Sequence, residues 1–552
     1  MSWGGSWGDK VVAYPEAAVR AYRDGGLWGT RTITDQLHLV ARAHPDREAV
    51  VALDGRITFA ELDERTDLLA AGLAGLGLRP GDPVLLQVSN RLATVLAWYG
   101  VLKAGLVPVC TLPAHRGHEI GAVSRRVGAV AHLVETGGFD LVGFALEQGR
   151  DHPTLRHVLV LGDDPRGTAV AGLGADLDAG AARKTVEEIQ AGIGPDEVAV
   201  FQLSGGTTGV PKVIPRLHAE YWYNSLAYAR SWGWDAETRV AHLIPIVHNA
   251  GIVCALHAAH SVGACLVLAP ADLDTALPLL AREAPTHVLL GHGHFQAAGH
   301  PGFAAAAAAL TQVVLSGSKI PPALFDDLER RGLWSGQLFG MGEGLFLTTR
   351  PGASRLARAT TVGTPLSELD EVRVLEPGTE DEVPDGEVGE LCCRGPYTLR
   401  GYFDAAEHNA RAFTTDGFYR TGDLAAVRVI DGERYVSIEG RIKDVINRGG
   451  EKINAEEVEL LLLRHPRVTG AAVVAMPDPR LGERSCAFVV GGPLDLPEVQ
   501  RHFAELGVAK FKWPERVELV PEIPRTLVGK LDKKRLQAEI AAKLATEQGG
   551  TS

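Results

Sequence analysis

From about residue 30 to residue 310, short apolar runs alternate with segments whose apolar positions recur at helical spacing. The runs "REAVVAL" and "PVLLQVS" are typical of buried strands, whereas "TFAELDERTDLLAAGLAGLG" predicts a helix that stops at a glycine. The stretch "ALHAAHSVGACLVLAPA", residues 255–271, predicts a buried helix and then a strand, and "FAAAAAAL", residues 303–310, predicts one helix. Such alternation indicates an α/β fold with mostly parallel sheets.

The pattern changes near residue 370 and again after Gly440. The segments "EVRVLEP", "GEVGELCCRG" and "AAVRVIDGERYVSIEG" predict short strands with glycine-rich turns, which indicates a small barrel or a set of hairpins. Farther on, "NAEEVELLLLRHP" predicts an amphipathic helix with Asn454 as its N-cap, followed by two strands and a helix. We therefore predict an N-terminal domain over residues 1–440, a hinge at 441–443 and a small α+β domain over 444–552.

Composition narrows the class of protein. The 552 residues are too many for one hydrophobic core, and 55 basic against 68 acidic side chains give a net charge of −13. We therefore expect neither a nucleic-acid nor a membrane partner. The six cysteines are sparse and lack zinc spacing, and the first ten residues lack the apolar segment of a signal peptide, so we expect a cytoplasmic protein.

The stretch "LSGGTTGVPK", residues 203–212, follows a predicted strand and is rich in glycine and hydroxyl side chains. Glycines allow backbone N–H groups to approach a ligand closely, and hydroxyl groups add donors. Lys212 supplies positive charge, so the composition favours a loop that binds phosphate oxygens. A P-loop NTPase is excluded, because Pro211 precedes the lysine where that motif requires glycine.

Five segments, in this order along the chain, resemble the signatures of the adenylate-forming superfamily of acyl-CoA and aryl-CoA ligases, luciferases and nonribosomal peptide adenylation domains. They are "LSGGTTGVPK", "FGMGEG" (339–344), "YRTGD" (419–423), "GRIKDVINRGGEKINAEEVE" (440–459) and "PRTLVGKLDKKRL" (524–536). The resemblance covers about residues 30–540. It implies an ATP-dependent ligase whose small C-terminal domain is mobile.

The resemblance implies that ATP and Mg²⁺ are bound. Glu343 corresponds to the metal-binding carboxylate, and Mg²⁺ prefers carboxylate and phosphate oxygens. Phe339 is expected to stack on adenine, and Asp423 is suited to accept hydrogen bonds from the ribose hydroxyl groups, with Arg441 beside the same sugar. The residues predicted to bind ATP are Ser204, Gly205, Gly206, Thr207, Thr208, Gly209, Lys212, Gly317, Ser318, Phe339, Gly340, Met341, Asp423, Arg441 and Lys530.

By the same resemblance Lys530 lies at the reacting α-phosphate. A carboxylate attacks the α-phosphorus and pyrophosphate leaves, so charge builds on oxygen atoms that a fixed ammonium group stabilises. The neighbouring Lys533 and Lys534 are interpreted as a solvated basic face. The predicted catalytic residues are Lys530, Thr207, Glu343 and His248.

A thiol then attacks the acyl carbon, and in this superfamily the small domain rotates between the two steps. The hinge residue lies two positions after the junction arginine and is Lys443 here. The rotation is expected to remove Lys530 and to bring Gly449 and Gly450 of "NRGG" against the incoming pantetheine.

Within the superfamily, the chain resembles the stand-alone 2,3-dihydroxybenzoate and salicylate AMP ligases of siderophore pathways. The segments that carry this resemblance are "LSGGTTGVPKVIPRLHAEYWYN", "PIVHNAGIVCALHA" and "QLFGMGEGLFLTTR". It implies that His248 flanks the carboxylate and that Asn249 hydrogen-bonds the ortho substituent. The residues predicted to bind the acid are His248, Asn249, Ala250, Cys254, Ser318, Leu338, Gly340 and Phe346.

The pocket residues favour salicylate, because the Cys254 position tends to carry cysteine in salicylate enzymes and serine in dihydroxybenzoate enzymes. A thiol is a weak donor and suits an unsubstituted ring edge. However, Ala250 replaces the usual aromatic residue and Phe346 replaces a smaller aliphatic one. A substituted anthranilate such as 3-hydroxyanthranilate is therefore an alternative, so 2-hydroxy- and 2-aminobenzoates both stay open.

We expect the thiol to come from a separate partner, because the C-terminal segment lacks a carrier-type attachment serine. An aryl carrier protein is favoured over CoA on the resemblance, which indicates siderophore or related nonribosomal peptide biosynthesis. An aryl-CoA ligase of degradation shares every motif and is the alternative enzyme. A non-catalytic ATP-binding regulator is disfavoured because the predicted catalytic residues are present. Monomer and homodimer both stay open.

Overall fold

A computed structural model describes residues 5–204, 211–317, 320–448, 451–506, 508, 510–526 and 530–549. The chain divides into two compact units. The first comprises Met1–Ala359, Gly363–Glu371 and Cys393–Tyr419, and the second comprises Thr360–Val362, Val372–Cys392 and Arg420–Ser552. Within the described ranges, no helix combines the length and the apolar character needed to cross a membrane.

The described residues of the first unit form sixteen strands and most of the helices. Its strands are β1 (Glu48–Ala52), β2 (Gly55–Thr58), β3 (Pro83–Gln87), β4 (Val107–Val109), β5 (Ala131–Glu135), β6 (His157–Leu161), β7 (Thr168–Ala169), β8 (Val198–Leu203), β9 (Val213–Leu217), β10 (Arg239–His242), β11 (Cys265–Leu268), β12 (His287–Gly291), β13 (Gln312–Ser316), β14 (Trp334–Gly340), β15 (Phe346–Thr348) and β16 (Thr364–Pro365). Its helices are α1 (Glu16–Asp24), α2 (Ile33–Ala43), α3 (Phe59–Gly75), α4 (Leu92–Lys103), α5 (Gly117–Val127), α6 (Leu141–Asp151), α7 (Ala179–Gln190), α8 (His218–Ser231), α9 (Asn249–Gly251), α10 (His257–Ser261), α11 (Leu273–Glu283), α12 (Phe303–Ala306), α13 (Pro322–Arg330), α14 (Arg355–Thr360) and α15 (Ala406–Ala412).

These strands form two sheets that are mostly parallel, as predicted. The seven-stranded sheet has the order β7-β6-β5-β3-β4-β8-β9, and β8 and β9 are its antiparallel pair. The nine-stranded sheet has the order β16-β15-β14-β13-β12-β10-β11-β1-β2, with antiparallel pairs at its two ends. In such sheets ligands bind beyond the carboxyl ends of the parallel strands.

The predicted helices form where the apolar spacing placed them. Helix α3 starts after Thr58, whose side chain accepts from the backbone N–H of Glu61 in a capping box. The stretch 255–271 is a buried helix followed by β11, as predicted. The "FAAAAAAL" segment differs, because α12 ends at Ala306 and the chain then turns to bury Leu310 in the core.

The second unit contains an antiparallel sheet of order β17-β18-β19-β20 and a mixed sheet of order β22-β21-β24-β23, with β25 parallel to β24. Their bounds are β17 (Glu371–Leu375), β18 (Gly389–Arg394), β19 (Tyr419–Ile430), β20 (Glu433–Arg441), β21 (Val445–Arg448), β22 (Glu451–Asn454), β23 (Val468–Asp478), β24 (Gly482–Gly491) and β25 (Arg516–Leu519). The helices are α16 (Ala455–Leu463), α17 (Leu496–Glu505) and α18 (Lys533–Gly549).

Asn454 caps α16 as predicted, since its side chain accepts from the backbone N–H groups of Glu456 and Glu457. The two compact units do not divide the chain at residue 441, because the second unit also contains most of the four-stranded sheet. The predicted boundary at 441–443 is a point about which the C-terminal domain would rotate, whereas the two units are defined by their packing. The hinge therefore stays a prediction.

Candidate active site

The predicted phosphate loop connects β8 to β9, and two hydrogen bonds close its base. The N–H of Ser204 donates to the carbonyl of Lys212 (2.9 Å), and the N–H of Lys212 donates to Ser204 Oγ (3.0 Å). The predicted ligands Gly205, Gly206, Thr207, Thr208 and Gly209 lie outside the described residues. The strand pair thus fixes where the loop begins and ends.

The Lys212 ammonium group lies against two side chains that the sequence did not single out. Its Nζ lies 2.9 Å from His408 Nε2 and 4.3 Å from the centre of the Tyr402 ring. Burial lowers the pKa of Lys212, and the charge of Glu343 opposes that shift. Because the ammonium only donates, His408 accepts at Nε2 and is neutral in this arrangement.

Glu343 is held by a short chain of phenol groups. Tyr402 donates its hydroxyl hydrogen to Glu343 Oε1 (2.7 Å), so the Tyr419 hydroxyl, 2.7 Å from that of Tyr402, must act as donor to it. Asn409 fixes the backbone of Tyr402 through two bonds of 2.9 Å. A carboxylate and an ammonium group therefore flank the Tyr402 ring.

The predicted base-binding residues lie at the carboxyl ends of two neighbouring parallel strands. Gly317 follows β13 directly, while Phe339 and Gly340 end β14, and Ser316 is paired in register with Leu338. Phe339 is half-buried and Gly340 is exposed. Ser318 lies outside the described residues. The sheet thus brings two of the predicted adenine-binding segments to one edge.

His248 and Asn249 lie at the start of a helical segment. The Nδ1 atom of His248 accepts from the N–H of Ala250 (3.3 Å), so in the neutral ring Nε2 carries the hydrogen. Residues Ile252–Leu256 then form a π-helical turn, a feature that is frequent at functional sites. At Gly251 a Cβ atom would lie 2.2 Å from the Ile246 carbonyl, so only glycine permits this close approach.

The remaining predicted pocket residues join one hydrophobic cluster. Cys254, in the π-helical turn, is buried beside the Tyr228 hydroxyl, and burial raises the pKa of its thiol. Leu338 and Phe346 are buried in the same cluster, and Ala250 packs against it. Phe346 is paired with Gly340, where a Cβ atom would lie 2.7 Å from the phenyl ring. Phe346 therefore fills space that a larger residue at 340 would need.

A buried arginine, which sequence reasoning missed, connects these segments. Arg216 is 1% exposed and forms a two-fold ion pair with Glu220 (2.9 and 2.8 Å). It also donates to Asn249 Oδ1 (3.4 Å) and to the Gly342 carbonyl (3.1 Å). Burial lowers the pKa of the guanidinium group, but the Glu220 carboxylate outweighs that effect and the net shift is upward. The signal in the sequence was two opposite charges at (i, i+4) inside an apolar stretch.

The side chain of Asn249 is 5% exposed and makes three hydrogen bonds. Its Oδ1 accepts from the Tyr221 hydroxyl (2.9 Å) and from Arg216, and its Nδ2 donates to the Met341 carbonyl (3.3 Å). The start of the helix that is predicted to bind the acid therefore contacts the segment that is predicted to bind the nucleotide. Reaction of an acid with ATP requires such contact between the two sites.

In the second unit, Asp423 and Arg441 face each other on β19 and β20. Arg441 Nε donates to Asp423 Oδ1 (2.6 Å), and Asp423 is 6% exposed. Partial burial lowers the pKa of Lys443, and the charges of Arg441 and Lys530 act in the same direction. These four predicted residues therefore interact electrostatically within one unit.

Lys530 is exposed, and its N–H donates to Thr526 Oγ1 (3.2 Å). The interpretation of Lys533 as a solvated basic residue is wrong, because its side chain is 16% exposed and its Nζ lies 2.7 Å from Glu459 Oε1. Burial raises the pKa of Glu459 to about 7, which Lys533 opposes. Lys534 is exposed, as predicted. Gly449 and Gly450 lie outside the described residues.

Two family models match the chain. The model described as "AMP-binding enzyme" matches residues 37–403, and the model described as "AMP-binding enzyme C-terminal domain" matches residues 457–530. Together they span both the phosphate loop and Lys530.

Proteins similar to this chain over nearly its whole length include several from Streptomyces and Mycobacterium. Triostin synthetase I of Streptomyces triostinicus is 40% identical, over 96% of this chain and 98% of that protein. A salicylyl-CoA synthase / salicylate adenylyltransferase from a Streptomyces species is 40% identical, with the same coverage of 96% and 98%. A salicyl-AMP ligase / salicyl-S-ArCP synthetase of Mycobacterium tuberculosis is 39% identical, over 96% and 94%.

Among solved structures, the apo structure of Mycobacterium smegmatis MbtA is similar, with a TM-score of 0.74 and 38% identity. The similarity covers 96% of this chain and 99% of MbtA. Sequence and fold thus agree along the whole chain.

Proposed function

Because the chain belongs to the AMP-binding enzyme family, we propose that it adenylates an aryl carboxylic acid with ATP and then transfers the aryl group to a thiol. The acid is salicylate or a related 2-hydroxy- or 2-aminobenzoate, and the thiol is the phosphopantetheine of an aryl carrier protein. The observation that carries the proposal is the Asn249–Met341 hydrogen bond, which joins the predicted acid and nucleotide segments. Relatives named for salicylate adenylation and salicyl-S-ArCP synthesis support it.

In the first step a carboxylate oxygen of the acid forms a bond to the α-phosphorus, and the bond from that phosphorus to the bridging oxygen of pyrophosphate breaks. Lys212 binds the leaving phosphates beside the loop at 205–210. His248 donates from Nε2 to the carboxylate and orients it. Lys530 stabilises the charge that develops at the α-phosphate. The product is an aryl adenylate, a mixed anhydride that a thiol can attack.

Glu343 is the residue that we propose to hold Mg²⁺. Its carboxylate suits a hard cation, and Tyr402 orients it through one oxygen. In the part of the chain that the structure describes, no group of three or more His, Cys, Asp or Glu side chains could hold a metal ion. This agrees with an ion that takes its other ligands from phosphates and water. When bound, Mg²⁺ neutralises negative charge on the phosphates.

In the second step the thiol sulfur forms a bond to the acyl carbon and AMP leaves. We propose that Lys443 is the hinge about which Lys530 is withdrawn, and that Gly449 and Gly450 then contact the pantetheine. CoA as the acceptor is the second candidate, which the name of the Streptomyces salicylyl-CoA synthase favours. We also propose a cytoplasmic location, which the six free, buried thiols support.

The test is ATP–pyrophosphate exchange with salicylate, 2,3-dihydroxybenzoate, anthranilate, 3-hydroxyanthranilate and benzoate. We expect exchange that depends on an ortho-substituted aryl acid, followed by acyl transfer to a phosphopantetheinylated aryl carrier protein faster than to CoA. Exchange with aliphatic acids alone would overturn the assignment of the acid. Transfer to CoA alone would replace the carrier protein as the acceptor.

A further inference from the structure

We propose that buried hydrogen bonds from Tyr221 and Arg216 fix the amide of Asn249 so that it offers an N–H group to the substrate. The enzyme then selects aryl acids with an ortho hydrogen-bond acceptor over acids with an ortho donor. This inference rests on the proposed function, because it takes Asn249 to line the acid pocket.

The first step is the direction of the hydrogen bonds that reach Asn249 through Tyr221. Gln202 Nε2 donates both to the Val247 carbonyl (3.3 Å) and to the Tyr221 oxygen (3.0 Å). An amide nitrogen only donates, so the Tyr221 oxygen accepts and its hydrogen is directed to Asn249 (2.9 Å). The Asn249 atom that faces Tyr221 is therefore the carbonyl oxygen.

Arg216 fixes the same atom independently. A guanidinium group has donors and no acceptor, and its Nη1 lies 3.4 Å from Asn249 Oδ1. Because Glu220 holds Arg216 through two buried bonds, the arginine cannot turn away without separating that ion pair. Rotating the Asn249 amide by half a turn would place its NH₂ group against two donors.

The other side of the amide has one hydrogen left. Asn249 Nδ2 carries two hydrogens, and one goes to the Met341 carbonyl (3.3 Å). Among the described residues, only the Met341 carbonyl accepts from Asn249 Nδ2, although the side chain is buried. An unpaired buried donor is costly, so a ligand that supplies an acceptor is favoured.

Salicylate and anthranilate present opposite groups at this position. In salicylate the phenol hydrogen points to the neighbouring carboxylate, which leaves an oxygen lone pair facing outward. In anthranilate one amine hydrogen points to the carboxylate and the other faces outward, while the nitrogen lone pair is delocalised into the ring. The free Nδ2 hydrogen of Asn249 would bond to the ortho oxygen of salicylate. In anthranilate it would face an amine hydrogen, so that two donors would meet.

The test compares kcat/KM for ATP–pyrophosphate exchange with salicylate, anthranilate and benzoate. In the wild-type enzyme we expect salicylate to exceed anthranilate by at least about tenfold, the size of one hydrogen bond to a buried partner. Equal or better use of anthranilate would overturn the inference and leave aryl-acid adenylation intact. Exchange with none of the three acids would overturn the proposed function and the inference with it.

Two variants test the role of the fixed amide. Tyr221→Phe should lower the salicylate-to-anthranilate ratio by up to about tenfold, because the Asn249 carbonyl oxygen then keeps only the longer bond from Arg216 (3.4 Å) and the amide is held less firmly. Tyr223→Phe is the matched control, since this buried phenol on the same helix bonds Ser367 Oγ (2.8 Å) instead. Asn249→Asp replaces the donor by an acceptor and should reverse the preference. An unchanged ratio in both Tyr221→Phe and Asn249→Asp would contradict the proposal.

Discussion

The residues around Asn249 and the residues around Lys530 differ in their burial and in the number of their hydrogen-bond partners. Arg216 is 1% exposed, and it donates to Glu220 four residues away and to the carbonyl groups of Gly342 and Tyr397 farther along the chain. Lys530, by contrast, is exposed. The residues proposed to recognise the acid are thus buried in the first unit, whereas Lys530, which is proposed to stabilise charge at the phosphate, is exposed. Substitutions in the first region should affect folding, and those in the second should affect catalysis alone.

The largest effect is expected for Arg216→Ala, which leaves the Glu220 carboxylate buried without its partner. The free energy of unfolding should fall by about 3–5 kcal/mol, measured by urea denaturation. The double variant Arg216→Met/Glu220→Leu should recover most of that loss, because it removes both charges. Lys184→Ala, in an exposed pair with Glu188, is the control and should change stability by less than about 0.5 kcal/mol. A loss as small as that control in Arg216→Ala would refute the role of the buried pair.

Lys530→Ala should lower the rate of aryl-adenylate formation about 10²–10³-fold, as loss of one charge-stabilising group does elsewhere. The thermal unfolding midpoint should stay unchanged, because Lys530 is exposed. Lys534→Ala, an exposed neighbour, should change neither quantity. Loss of stability with retained activity in Lys530→Ala would reverse the comparison.

Lys443→Pro should keep adenylation and lower thioester formation about 10²-fold, because it restricts the predicted hinge and misplaces the acceptor site. Pyrophosphate exchange measures the first step, and transfer to the carrier protein measures the second. Lys443→Ala serves as the control and should retain both steps. If the proline variant loses both steps equally, Lys443 is not the hinge.

The last prediction concerns a buried acid of the first unit. Burial raises the pKa of Asp370 to about 8, with the hydroxyl of Tyr397 bonded to it. The ordinary value is about 3.9, so the folded state holds a proton that the unfolded state loses, and stability falls as the pH rises from about 4 to about 8.

Asp370→Asn should remove this contribution, which is at most about 1.4 kcal/mol per pH unit. Urea denaturation at pH 5 and pH 8 measures it, with Asp46→Asn, at an exposed position, as the control. An identical pH dependence in wild type and Asp370→Asn would show that Asp370 ionises normally.

The sequence predicted local features of the fold but not the contacts between distant residues. Asn454 and the mostly parallel sheets follow from local patterns, since a cap and a strand–helix alternation are set by neighbouring residues. The contacts of Arg216 were not predictable in that way, because Asn249 and Gly342 lie 33 and 126 residues farther along the chain. The pairing of Lys533 with Glu459 was missed for the same reason.

The resemblance named candidate residues but not the groups that hold them. Tyr402 and His408 carry no motif that the sequence analysis used, yet they contact Glu343 and Lys212. Their positions follow from the folded chain, which brings together residues that are 59 and 196 positions apart. Residue type thus indicates the chemistry, while the fixed orientation of each group depends on the tertiary structure.

The most direct test of the proposed acid site is a crystal structure of the protein with a stable salicyl-adenylate analogue. We expect the ortho oxygen within hydrogen-bond distance of Asn249 Nδ2, and the adenine beside Phe339 and Gly317. An analogue bound with its aryl group away from Asn249, or with Asn249 Oδ1 turned toward it, would contradict the proposed role of Asn249.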